Sequence, residues 1–128
     1  YDDYAHHPTE IKATLQGFRA KYTDNRIRVV FQPHLYSRTK LLLNDFAQSF
    51  GDADEVVVAP IYAAREKLDP EISAEILAKE TAKHHPDVRA GGDFALIEKY
   101  LRDTIAANDI VITMGAGDVF KAGEALLK

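Results

Sequence analysis

Cysteine is absent from all 128 residues. Its absence excludes disulfides, thiolate metal sites and a cysteine nucleophile, and is compatible with a reducing cytoplasm. No apolar run approaches the roughly 18 residues of a membrane span. The opening stretch, Tyr1 to Glu10, lacks the basic-then-apolar form of a signal peptide. Positive charge is not in surplus either: 16 Lys and Arg stand against 20 Asp and Glu, for a net charge of −4. Nothing therefore draws the chain to nucleic-acid phosphates or to an anionic membrane, and a cytoplasmic location with neither partner is expected. A G-K-[ST] phosphate loop and a serine nucleophile elbow are missing too, which removes support for a self-contained phosphate site or serine hydrolysis.

What is present is enough for one core. With 46% hydrophobic residues, a single domain of this size buries roughly two-thirds of the surface its unfolded chain exposes. A start without methionine, straight into a dense polar motif, points to a piece of a longer protein. Apolar residues Ile11, Leu15, Phe18 and Tyr22 recur at helical spacing, and Pro8 suits a first helical turn, so a helix is expected from His7 or Pro8. Ile27 to Phe31 reads as a buried strand, Ser37 to Phe50 as a loop and then a helix, and Glu55 to Ala59 as a second strand. Pro60 to Ile72 is the longest irregular segment. Ser73 and Asp93 are the expected N-caps of two further helices, the second running Phe94 to Ile105 with Ile97, Leu101 and Ile105 on one face. Val88 to Ala90 and Ile110 to Met114 complete four strands, and Val119 to Leu127 a fifth helix.

Strands alternating with helices, without a hairpin signal, predict a three-layer α/β domain with a parallel sheet covered on both faces. Ligands of such sheets bind outside the carboxyl ends of the strands, here Gln32 to Arg38, Pro60 to Glu66 and Gly115 to Asp118. A strand preceding Tyr1 in a longer parent protein would bring Asp2 to His7 to the same edge.

Three clusters carry candidate chemistry. In Asp2-Asp3-Tyr4-Ala5-His6-His7-Pro8, carboxylates and imidazoles crowd a helix start, where they either cap the helix or contact a ligand. Adjacent histidines without a spaced third ligand give a metal site little support. In Gln32-Pro33-His34-Leu35-Tyr36-Ser37-Arg38, Arg38 suits a carboxylate or phosphate, with Ser37 as the competing reading of a plain N-cap. Gly115-Ala116-Gly117-Asp118 allows close backbone approach of a nucleotide, or is simply a strand-to-helix turn capped by Asp118. His84 and His85 read as surface residues at a helix C-terminus.

Asp2-Asp3-Tyr4-Ala5-His6-His7-Pro8-Thr9-Glu10, Phe31-Gln32-Pro33-His34 with Ser37-Arg38-Thr39, Ile61-Tyr62-Ala63-Ala64-Arg65-Glu66 and Met114-Gly115-Ala116-Gly117-Asp118 together resemble the Mur ligase family. The likeness covers essentially the whole chain and is strongest to the branch that adds L-alanine. It implies a Rossmann-like C-terminal domain with a mostly parallel sheet of about six strands, one antiparallel. It also implies a reaction in which ATP phosphorylates the carboxylate of UDP-N-acetylmuramate, releasing ADP, and the L-alanine amine attacks the acyl phosphate, whose tetrahedral intermediate collapses to amide and phosphate. The N-terminal UDP-binding domain and the central domain, with the phosphate loop and most Mg2+ ligands, would lie outside these residues. Carried over by position, Asp3 contacts the ATP ribose, while Ala116 and Gly117 border the adenine. Tyr4, His6, His34 and Arg38 face the amino acid, with His6 the candidate catalytic group, and Tyr62 and Glu66 line the cleft. Leu35 departs from the basic residue that many relatives carry there. The competing readings are the related murein-peptide recycling ligase, a stand-alone nucleotide-binding regulatory module, and a self-sufficient hydrolase using Asp3 and His6.

Overall fold

A computed structural model describes residues 1–127. Strands β1 (Asp2–Asp3), β2 (Ile27–Phe31), β3 (Glu55–Val58), β4 (Val88–Ala90) and β5 (Ile110–Met114) form one sheet in the order β1-β5-β2-β3-β4. Every neighbouring pair is parallel. The α/β class and the parallel sheet are as expected; among the described residues the strands number five, none antiparallel. β1 escaped the sequence pattern because two acidic residues have neither period nor β-propensity. Pairing with Thr113 and Met114 of β5 is what makes Asp2 and Asp3 a strand.

Alternation along the strands sorts the core into two layers. Ile27, Val29 and Phe31 of β2 pack with α1 (Pro8–Lys21), α3 (Leu43–Ala47) and α4 (Ala74–Thr81) through Ile11, Leu15, Phe46 and Leu77. Val30 and Val57 face the opposite layer, α5 (Phe94–Thr104) and α6 (Phe120–Leu126), against Ile97, Leu101 and Val119. Each fully buried aliphatic or aromatic side chain contributes on the order of 1.5–3 kcal/mol. Ser73 and Asp93 cap α4 and α5, accepting from the N–H groups of Ile76 and Leu96 at 3.1 and 2.9 Å.

Several local expectations are corrected. The segment after β2 is two short helices, α2 (Tyr36–Leu41) and α3, and Ser37 caps neither of them. Main-chain bonds from Leu35 N–H to Tyr62 O and from Tyr62 N–H to Pro33 O, both 2.8 Å, hold the chain extended as far as Leu35. Helix α2 therefore starts at Tyr36, with Leu35 at its N-cap in a positive-φ conformation of 70°. The carboxylate of Asp118 does not cap α6; it accepts a bond from the Gln32 amide at 3.0 Å. Helix α5 stops at Thr104, so Ile105 is 49% exposed and leaves the apolar face of Ile97 and Leu101. His85 is buried rather than superficial. With the chain bending at Pro86 and Asp87, His85 Nε2 lies 2.7 Å from Ala53 O and its Nδ1 accepts from Asp87 N–H at 3.0 Å.

At the amino end of the sheet, Arg28 of β2 is 1% exposed and meets Glu55 of β3, with Nε 2.6 Å from Oε1. The Arg28 guanidinium also donates to Thr104 Oγ1 at 2.6 Å, and Tyr100 O–H donates to the second Glu55 oxygen. Two strands and α5 are thus tied by buried charge, which is tolerated because both partners are hydrogen-bonded. Glu55→Ala should leave Arg28 with Asp109, 3.5 Å from Nη1, as its remaining carboxylate contact among the described residues, and cost about 3–5 kcal/mol in urea unfolding. A loss below about 1 kcal/mol would mean that the pair is replaceable by water.

Candidate functional site

The carboxyl ends of β1, β2, β3 and β5 meet at one edge, and each delivers its loop differently. After β1, Asp3 Oδ1 accepts from Ala5 N–H at 2.8 Å and turns the chain off the sheet. His7 then caps α1 by accepting from Thr9 N–H at 3.2 Å, while Glu10 accepts from the His6 and His7 amides at 3.3 and 3.1 Å. Those amides, that of His6 foremost, hold the Glu10 carboxyl below its usual range. The capping reading is therefore right for His7. His6 is free of it, and its Nδ1 lies 3.0 Å from the Tyr4 carbonyl. A carbonyl only accepts, so Nδ1 carries the proton and neutral His6 keeps a lone pair on Nε2.

After β2 comes His34, whose ring stacks on Tyr62 with centroids 5.5 Å apart and planes at 12°. The His6 ring lies edge-on 6.2 Å from His34, and Tyr4 sits edge-on to His6 at 5.4 Å. Tyr4, His6, His34 and Tyr62 form one row along the edge. Nδ1 of His34 is buried and has no hydrogen-bond partner among the described residues. Burial lowers the His34 pKa below its ordinary value of 6.5, and the charge of Arg38, joined by that of His6 whenever His6 is protonated, lowers it further.

Arg38, in α2, is half-buried and has no carboxylate partner among the described residues. Glu66 is engaged: it accepts from the amide of Ser37 at 3.1 Å and from the Ser37 hydroxyl. It thereby fastens the 60–72 segment to α2. The two bonds from Ser37 also hold its carboxyl below the usual range.

Tyr62 joins this row to the glycine turn. A Cβ on Gly117 would lie 2.8 Å from the Tyr62 ring and 2.6 Å from Gln32 Oε1, so glycine is required by close packing. Gly115, at φ 150°, sits where a Cβ would press on Gln32 O at 2.9 Å. Tyr62, Gln32, Pro60, Ala63 and Asp118 line an open cleft of about 440 Å³. A more apolar groove of about 400 Å³, lined by Ile105, Val111, Phe120 and Leu126, lies away from the histidines.

Of the sequence candidates, Tyr4, His6, His34, Tyr62 and Gly117 come together. Asp3 stands at the same edge with its carboxylate turned into its own loop, and Ala116 is half-buried in the adjoining turn. Gln32 was legible as part of a motif but had no role assigned, because its partners are 28 and 86 residues away. Among the described residues no group of three His, Asp or Glu side chains could hold a metal ion.

Fold and edge together define a parallel, Rossmann-like α/β domain. A family profile described as "Mur ligase, glutamate ligase domain" matches residues 1–117. A UDP-N-acetylmuramate--L-alanine ligase of Desulfitobacterium hafniense (strain Y51) is 50% identical over 98% of this chain and 28% of its own length. One from Alkaliphilus metalliredigens (strain QYMF) is 52% identical over 98% of this chain and 27% of its own length. In three dimensions, a UDP-N-acetylmuramate-alanine ligase from Thermotoga maritima superposes with a TM-score of 0.77 at 24% identity, covering 97% of this chain and 24% of that one. The chain belongs to the Mur ligase family, and it spans about 28% of the length of the curated relatives it matches.

A lowered pKa keeps His34 neutral at pH 7. The unfolded chain then binds the extra proton first, so the stability His34 contributes is full above about pH 6.5 and is lost as pH falls through the histidine range. Proton NMR should give a His34 midpoint below that of an unstructured histidine, and Arg38→Ala should move it upward. A midpoint unmoved by that substitution would show that Arg38 does not reach the ring.

Proposed function

We propose that this chain is the closing domain of an ATP-dependent, cytoplasmic ligase that joins L-alanine to UDP-N-acetylmuramate. The observation that carries the reading is the row of Tyr4, His6, His34 and Tyr62 running along the sheet's carboxyl edge to the Gly115–Asp118 turn. It lies in a chain half identical, over nearly all its length, to proteins bearing that ligase name.

The edge fits part of a nucleotide. Tyr62 offers an aromatic face beside the cleft, and Ala116 and Gly117 bring backbone close to it, while Asp3 stands near for a ribose. The phosphates and Mg2+ would be held by domains outside this chain, since the sequence has no phosphate loop and the described residues no metal-ligating group. ATP supplies the phosphoryl group that activates the muramoyl carboxylate.

The residues of this chain act on the amino acid. Arg38, a cation without a carboxylate partner among the described residues, grips the carboxylate of L-alanine and fixes the amine at attacking distance. Beside it, His34 is held neutral and adds no charge. His6 presents a lone pair at Nε2, suited to take the proton that the amine releases as the amide forms. Closure of the domain expels water from between these groups and the activated acid.

In the ligase carrying this domain, Arg38→Ala should raise the KM for L-alanine by roughly 10- to 100-fold, the worth of a charge-assisted hydrogen bond, with a smaller change in the KM for ATP. Unchanged kinetics would remove Arg38 from the site. By calorimetry the isolated chain should bind ATP no tighter than millimolar; micromolar binding would instead favour a stand-alone nucleotide module.

A further inference from the structure

Gln32 is 3% exposed, just past the end of β2, and its carboxamide uses every bond it can make. Oε1 accepts from the N–H groups of Asp118 and Val119 at 3.0 and 3.1 Å. Nε2 donates to Pro60 O at 3.3 Å and to Asp118 Oδ1 at 3.0 Å. The orientation follows from the partners, since two backbone N–H groups can meet only the oxygen. One side chain thus ties the ends of β2, β3 and β5, and the Gly115–Asp118 turn is clamped at its last residue.

The clamp spans a seam in the topology. β5 lies between β1 and β2, whose following helices α1 and α3 pack on one face of the sheet, while α6 after β5 packs on the other. Loops diverge there and leave a crevice. Gln32 crosses it, and its Oε1 also sits where a Gly117 side chain would go.

We propose that Gln32 is a positioning residue. Its carboxamide sets the Gly115–Asp118 turn against Tyr62 so that the turn can receive the nucleotide, without touching the reacting atoms itself. The second half rests on the reading of that turn as an ATP contact. The identity of the side chain matters more than its size. Glutamate has the same shape and still accepts from the two amides, but its other oxygen would face Pro60 O and the Asp118 carboxylate with no proton between them. Asp118→Asn would restore a donor opposite that oxygen, reversing the direction of the original bond.

The test uses Gln32→Glu, with and without Asp118→Asn. Amide-exchange protection at Asp118 and Val119 in the chain should fall roughly tenfold in Gln32→Glu, as expected for losing about one net hydrogen bond. Val29 and Val57 in the sheet should keep theirs, and the double variant should recover most of the loss. In the ligase, the KM for ATP should rise and recover in parallel, with the KM for L-alanine moving less. Protection unchanged in Gln32→Glu would overturn the proposal. Protection lost with the KM for ATP unmoved would keep Gln32 as the clamp and sink the nucleotide assignment of the turn. Should Gln32→Glu fail to fold, folding of the double variant supports the same coupling, and failure of both overturns it.

Discussion

Parallel pairing of β5 between β1 and β2 is the constraint on which the molecule depends. Because all strands run one way, each delivers its following loop to the same edge, and no hairpin diverts one to the other end. Residues as distant in sequence as Tyr4, His34, Tyr62 and Gly117 become neighbours through this direction alone. The price is that every crossover must travel over a face, which the helices of the two layers provide.

β2 carries the polar fastening at both ends of the sheet. Near its start Arg28 pairs with Glu55 under α5, and just past its finish Gln32 holds the β3 and β5 loops. The two solutions differ in kind. At the closed end a charged pair is buried, with Arg28 Nε and Nη2 hydrogen-bonded and Nη1 left to a 3.5 Å ion-pair contact with Asp109. At the open end, where the proposed ligands bring charge of their own, the fastening is a neutral amide that organises the backbone without adding to the local field.

Between these ends the backbone is bent to place His34. Leu35 takes a positive φ, which costs a non-glycine residue on the order of 1–3 kcal/mol, and the paired bonds with Tyr62 impose it. The strained residue comes directly after the histidine and three before Arg38. Leu35 is the residue between the strand end that carries the ring and the helix that carries the guanidinium. Leu35, which departs from the family pattern in its side chain, therefore contributes to the site through its main chain.

Elements whose signals are local were legible in the amino-acid pattern. Buried β-branched runs marked β2, β3 and β5, the caps Ser73 and Asp93 marked α4 and α5, and polar residues directly after strands marked the edge. Each of these depends on neighbours within a few positions. The remaining features depend on partners far along the chain. Asp2 and Asp3 are a strand because β5 lies beside them, and His85 is buried because Ala53 offers a carbonyl. Ser37 and Asp118 gave up their capping roles to Glu66 and Gln32. A side chain with several possible partners takes the one that desolvation leaves it, and which one that is cannot be read until the chain has closed on itself.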